Sequence, residues 1–102
     1  MYSRIGRAKF RTDESEAVIG IAQEGAAAFR SQPGFQSVTY LYDRSSGWGF
    51  AVSHWDTREH AEAASEATRD IAAKFQQYRS NPGEPPDTVE GMLPTFEVVA
   101  QA

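Results

Sequence analysis

The side chains of this 102-residue chain best suited to moving protons or polarising a ligand are two histidines, four tyrosines and an arginine-rich first segment; there is no cysteine. Without a thiol there is no disulfide framework, thiolate metal site or cysteine nucleophile. His54 is the best proton acceptor by type, because imidazole titrates near neutrality. It precedes Trp55, and by strand alternation it shares a face with Phe50 and Val52. Tyr40 and Tyr42 offer phenolic donors to a ligand oxygen, and Trp55 joins them on one strand face. Arg4 has the parity of Gly6 and Ala8, which gives its guanidinium a route to an anionic oxygen in the interior. His54 and His60, with Asp56, Glu59 and Glu62, include metal-ligand types. One histidine ends a strand and the other opens a helix, so their spacing does not make them converge, and no metal is expected. Glu14, Glu16, Glu62 and Glu66 read as solvated helix carboxylates. There is neither a glycine-rich phosphate loop nor a nucleophile elbow.

These residues are positioned by six elements. Residues 2–11 alternate, with Gly6, Ala8 and Phe10 on one side and Arg7, Lys9 and Arg11 on the other, as a half-buried strand does. Asp13, with Glu16 three residues on, forms a capping-box pattern, and Val18, Ile21, Ala22, Gly25, Ala28 and Phe29 then follow helical spacing until Pro33-Gly34. A helix is expected over about 14–31. Phe35–Asp43 and Trp48–Trp55 are aromatic and β-branched around the turn Arg44-Ser45-Ser46-Gly47, which predicts a hairpin. That turn sets Tyr42 opposite Gly49, Tyr40 opposite Ala51, Leu41 opposite Phe50 and Thr39 opposite Val52. Asp56-Thr57-Arg58-Glu59 repeats the capping pattern before a helix, bent or split, over 57–79. Its inward stripe is Ala61, Ala64, Thr68, Ile71, Phe75 and Tyr78. Asn81–Pro86 reads as an exposed loop and Thr95–Ala100 as the last strand. The order βαββαβ predicts an α+β, ferredoxin-like domain over 1–102, with a four-stranded antiparallel sheet and both helices on one face.

The composition narrows the partners. Ten Lys and Arg against 14 Asp and Glu give a net charge of -4 and a pI near 5.1. Phosphate backbones need clustered cations, so no nucleic acid is expected. No apolar run approaches the roughly 20 residues of a membrane helix, and the first twenty residues lack a signal-peptide core. Neither membrane association nor secretion is expected, and the absence of cysteine fits the cytoplasm. The hairpin is apolar on both faces: Val38, Tyr40, Tyr42 and Trp55 on one, Leu41, Trp48, Phe50 and Val52 on the other. Helices cover one face only. An exposed patch of several hundred Å² is seldom tolerated by a soluble monomer, so a homodimer joined sheet to sheet is expected, through whichever face the helices leave bare.

Pro33-Gly34-Phe35 before the second strand, the hairpin, and Trp55-Asp56-Thr57 leading into an Ala- and Glu-rich helix resemble the antibiotic biosynthesis monooxygenase family over nearly the whole chain. The resemblance implies a dimeric α+β barrel with a pocket between sheet and helices in each subunit. It also implies cofactor-free oxidation of phenolic, hydroquinone or polyketide-like molecules by oxygen, with no metal, flavin or haem. On that reading His54 is the catalytic base, Tyr40 and Tyr42 donate to the substrate oxygen, Arg4 holds a phenolate, and Trp55 contributes to the substrate site. The haem-degrading branch carries an Asn on the first strand and a Trp and a His on the later helix. Here the first strand has no Asn and the helix has His60 but no Trp, so haem cleavage is not expected. Two alternatives stay open: a non-catalytic small-molecule-binding or structural homodimer of the same fold, and an isomerase or cyclase working by proton transfer in the same pocket.

Overall fold

The computed structural model describes residues 1–80 and 95–102. In chain order it contains β1 (Tyr2–Lys9), a single 3-10 turn (Thr12–Glu14), α1 (Ser15–Phe29), β2 (Phe35–Tyr42), β3 (Trp48–Trp55), α2 (Arg58–Ala67), α3 (Arg69–Gln76) and β4 (Thr95–Glu97). The strands form one antiparallel sheet in the order β2-β3-β1-β4, the α+β ferredoxin-like plan. The Asn81–Pro86 loop lies outside the described residues. No helix among the described residues is long and apolar enough to cross a membrane.

The hairpin register is the one its turn dictates: Tyr42 faces Gly49, Leu41 faces Phe50, Tyr40 faces Ala51 and Thr39 faces Val52. Gly47 closes that turn in the left-handed region, at φ +84. A Cβ there would stand 2.1 Å from the Phe10 carbonyl oxygen, so the tip needs glycine for space as well as for conformation. The Phe10 N–H in turn donates to the Gly47 carbonyl at 2.7 Å, tying the hairpin tip to the end of β1. A bulge between Phe35 and Ser37 breaks the alternation at the start of β2 and brings Phe35 alongside Trp55.

Both helix starts differ from the capping boxes in the sequence. The Asp13–Glu16 box does not form: a 3-10 turn occupies Thr12–Glu14, and α1 starts without a side-chain cap. At α2 the cap is Thr57, whose Oγ1 accepts from the His60 N–H at 3.1 Å, one residue later than the Asp56–Glu59 pattern implies. The long second helix is split at Thr68, whose Oγ1 donates back to the Ala64 carbonyl at 2.9 Å. The last strand is shorter than expected, ending at Glu97.

Side chains between sheet and helices form two apolar groups. Trp55 and Ala61 are fully enclosed, with Ala64, Phe29 and Phe35 packed around them. The three rings of this group lie 5.6–6.2 Å apart. Phe10, Tyr40, Tyr42 and Phe75 make the second group, and Val18, Ile21 and Ile71 are buried as well. The other face of the sheet carries Ile5, Leu41, Trp48, Phe50 and Phe96, each 37–53% exposed. Alternation and register place Ser37, Thr39, Val52 and His54 there too.

Candidate functional site

Four of the five candidate residues lie on the helix side of the sheet, each held by a different neighbour. Arg4 is 8% exposed, and its Nη1 donates to the Ala61 carbonyl at 3.0 Å and to the Ser65 hydroxyl, both on α2. Burial pulls the guanidinium below its usual range, with the Glu62 charge working in the opposite sense. Arg4 therefore ties β1 to α2 from inside rather than standing at a solvated strand end. Tyr42 shares a 2.9 Å hydrogen bond with the Ser15 hydroxyl at the start of α1 and packs edge-on to Phe10. Trp55 is fully enclosed, and its indole N–H donates to Ser53 Oγ at 2.9 Å. With no exposed surface and its one donor satisfied, Trp55 is built into the wall of the interior.

Tyr40 is the member of the set with chemistry to spare. Its ring leans on Phe75, and its hydroxyl reaches up to the seam between α1 and α3. A Cβ on Gly25 of α1 would sit 2.5 Å from that hydroxyl and 3.1 Å from Ile71 Cγ2 of α3. Glycine at 25 is what lets the phenol pass under the helix. Burial raises the Tyr40 hydroxyl to about 12, so it remains a protonated donor throughout the neutral range. Above the seam, Glu24 and Ala28 of α1 face Ala67, Asp70, Ile71, Ala73 and Lys74 across a groove of about 510 Å³. A Lys74–Glu24 ion pair spans it. Ile71 lines this groove and also stands beside the space that holds the Tyr40 hydroxyl.

His54 lies on the opposite side of the sheet, paired across the strands with Ser3 and Ser37. It does not share a cavity with Tyr40, Tyr42 or Arg4. The reason is the alternation already visible in the sequence: His54 has the parity of Phe50 and Val52, and α1, α2 and α3 all pack on the other face. His60 does not approach it. Instead, His60 Nδ1 lies 2.7 Å from Asp56 Oδ1, and this hydrogen bond holds the Asp56 carboxyl below its ordinary range. Gly34, at φ +75, fits against the pair; a Cβ there would fall 2.0 Å from Asp56 Oδ1 and 2.4 Å from His60 Nδ1. Among the described residues no group of three or more His, Asp, Glu or Cys side chains is placed to hold a metal ion. The Tyr40 seam was not legible as a groove, because it depends on how α1 and α3 meet. The one sequence signal was Gly25 amid the larger apolar residues Val18, Ile21 and Phe29 of the inward helix face.

No family model and no curated protein sequence matches this chain. Solved structures do. A protein of Nitrosomonas europaea bearing the antibiotic biosynthesis monooxygenase name is 17% identical, with 98% of this chain and 100% of that one covered and a TM-score of 0.77. A similarly named protein of Chloroflexus aurantiacus is 21% identical, with 99% and 96% covered and a TM-score of 0.67. A variant of a cofactor-independent oxygenase from Streptomyces nogalater is 16% identical, with 98% and 94% covered and a TM-score of 0.74. Nearly the whole of each chain is covered, and the chain shares its fold with the solved structures that carry the antibiotic biosynthesis monooxygenase name.

Proposed function

We propose that this protein is a homodimeric, cofactor-independent oxygenase that takes a small, mostly apolar phenol, hydroquinone or polyketide-like molecule at the α1–α3 groove. The observation that carries the reading is the Tyr40 hydroxyl, a protonated donor lodged between Gly25 and Ile71 beneath that groove. The cofactor-independent oxygenase among the structures of this fold supports the reaction class. In such a reaction the substrate supplies the electrons. A C–H proton activated by the phenolic oxygen passes to water, the resulting carbanion passes electrons to O2, and the peroxide anion formed on carbon takes the proton back as a hydroperoxide. Loss of water then leaves a carbonyl, so that CH2 and O2 become C=O and H2O. Tyr40 contributes a hydrogen bond to the substrate oxygen, strongest when that oxygen carries the anion's charge. Arg4 adds buried positive charge on the same side of the sheet. His54 has no part in proton removal at this groove, because the sheet stands between them.

The homodimer belongs to the same reading: Ile5, Leu41, Trp48, Phe50 and Phe96 on the bare face form the patch a second copy covers. A non-catalytic homodimer is favoured by a different observation. Phe10, Tyr40, Tyr42 and Phe75 already occupy much of the space between sheet and helices. Oxygen uptake with a panel of hydroquinones and anthrones, run aerobically and anaerobically, separates the two. The oxygenase reading expects oxygen-dependent turnover that falls by a factor of ten or more in Tyr40→Phe and is unchanged in His54→Ala. Uptake equal to that of buffer would leave the structural homodimer as the reading. Substrate conversion in the absence of oxygen would instead point to the isomerase or cyclase.

A further inference from the structure

We infer that His54 is a hydrogen-bond donor across the subunit contact, its Nε2–H meeting a serine or threonine hydroxyl on the bare sheet face of a second copy of this chain. The inference rests on the homodimer reading above and deepens it. His54 stands in a row across the sheet, with Ser37 on β2 to one side and Ser3 then Phe96 on β1 and β4 to the other. Its Nδ1 is sealed from solvent and has no hydrogen-bond partner among the described residues. Nε2 is not sealed. Neutral imidazole carries one proton, which must sit on one of these two nitrogens. An N–H enclosed without an acceptor is the rarer and costlier arrangement, so the enclosed Nδ1 keeps the bare lone pair and Nε2 holds the proton. The ring therefore shows the open face a donor. This is the opposite of the proton-abstracting role its residue type suggests.

The composition of the face identifies the acceptor. A two-fold contact sets this face against itself, so whatever meets His54 is drawn from the same strands. Along the described strands it offers the apolar residues Ile5, Leu41, Trp48, Phe50, Val52 and Phe96, and the cations Arg7 and Lys9. It offers no carboxylate or side-chain amide at these in-register positions. The exposed oxygen acceptors are the hydroxyls of Ser37 and Thr39, since Ser3 is only 6% exposed. The face thus carries a donor on β3 and hydroxyl acceptors on the adjacent β2 among its apolar residues.

Two measurements on the full chain test this. Long-range 1H–15N correlation of the imidazole distinguishes a protonated from a bare ring nitrogen, and the expected result is a bare Nδ1 and a protonated Nε2 in the neutral dimer. Sedimentation equilibrium then follows the dimer Kd in His54→Gln, which keeps a donor on a chain of similar reach, and in His54→Phe, which keeps a ring without one. Two symmetry-related hydrogen bonds are lost per dimer, so His54→Phe raises Kd by about tenfold or more, while His54→Gln stays within a fewfold of the parent. A double substitution of Ser37 and Thr39 by alanine removes the difference between His54→Phe and the parent. Protonated Nδ1, or a Kd indifferent to His54→Phe, overturns the inference while leaving the homodimer standing. A chain that is monomeric at every concentration overturns both.

Discussion

At Gly25 a missing side chain decides the local packing. The helix axis of α1 lies close enough to β2 that the Tyr40 hydroxyl occupies the space a Cβ would need, with Ile71 closing the other side. Gly25→Ala gains helix propensity of roughly 1 kcal/mol, yet it forces an overlap that neither a packed phenol nor a packed isoleucine can relieve cheaply. The expected net effect is a loss of about 1–3 kcal/mol in denaturant unfolding, reduced when Tyr40→Phe is introduced with it. Asp56 behaves differently, because it acts through charge. Its carboxyl is held below the ordinary value by the His60 hydrogen bond. A carboxyl depressed in the folded state adds stability that is complete above its unfolded pKa and disappears as pH falls through the folded one. Comparing thermal midpoints of the parent and Asp56→Asn should therefore give a constant gap through the neutral range. The gap closes below about pH 4, where the carboxyl is protonated in the unfolded chain. Tyr40 and His54 were both legible as residues capable of chemistry. Which of the two stands near a groove was not, because that depends on the helices having docked on one face.

At the scale of the element, the sequence announces helix starts more clearly than it locates them. Asp13–Glu16 and Asp56–Glu59 have the same capping pattern, but only the second region caps its helix with a side chain, and it uses Thr57. The first fails because the chain leaves β1 through a 3-10 turn, which moves Asp13 inside a helical segment. Thr57→Ala is expected to lower stability by about 1 kcal/mol and Asp13→Ala by a few tenths at most, read from urea midpoints at constant m-value. The strands were easier. Alternation and the four-residue turn fixed the hairpin register down to individual pairs, since a slip by one residue would reverse every side chain. The bulge at Phe35 was not legible. Strict alternation from Val38 sends Phe35 to the bare face, and the tertiary gain of stacking it on Phe29 and packing it edge-on to Trp55 brings it back to the helix side. The break at Thr68 has a similar origin: the sequence allowed a bend, and the choice of place fell to a threonine that bonds back to Ala64.

For the molecule as a whole, the βαββαβ order, the sheet and the two apolar groups follow from periodicity, whereas their consequences for binding arise from contacts between distant segments. The small residues at Gly6, Ala8, Gly49 and Ala51 illustrate this. They lie on the helix side in the middle of the sheet, where Phe10 lies against Gly49, and Tyr40 stands opposite Ala51 with Phe75 beside it. The space left by small residues on β3 is taken by large ones arriving from elsewhere, and the groove opens instead between α1 and α3. One bond records how these distant parts depend on each other. The Phe10 amide is bound to the hairpin tip at Gly47, while Phe10 itself bridges to Arg79 just beyond α3, and its ring is buried. Releasing that proton to deuterium requires three separately folded stretches to part at once, so its protection should equal the free energy of complete unfolding. In a native-state exchange experiment Phe10 then serves as the clock for the entire domain, whereas the amide of Gln36, an exposed residue left out of register at the bulge, exchanges orders of magnitude sooner.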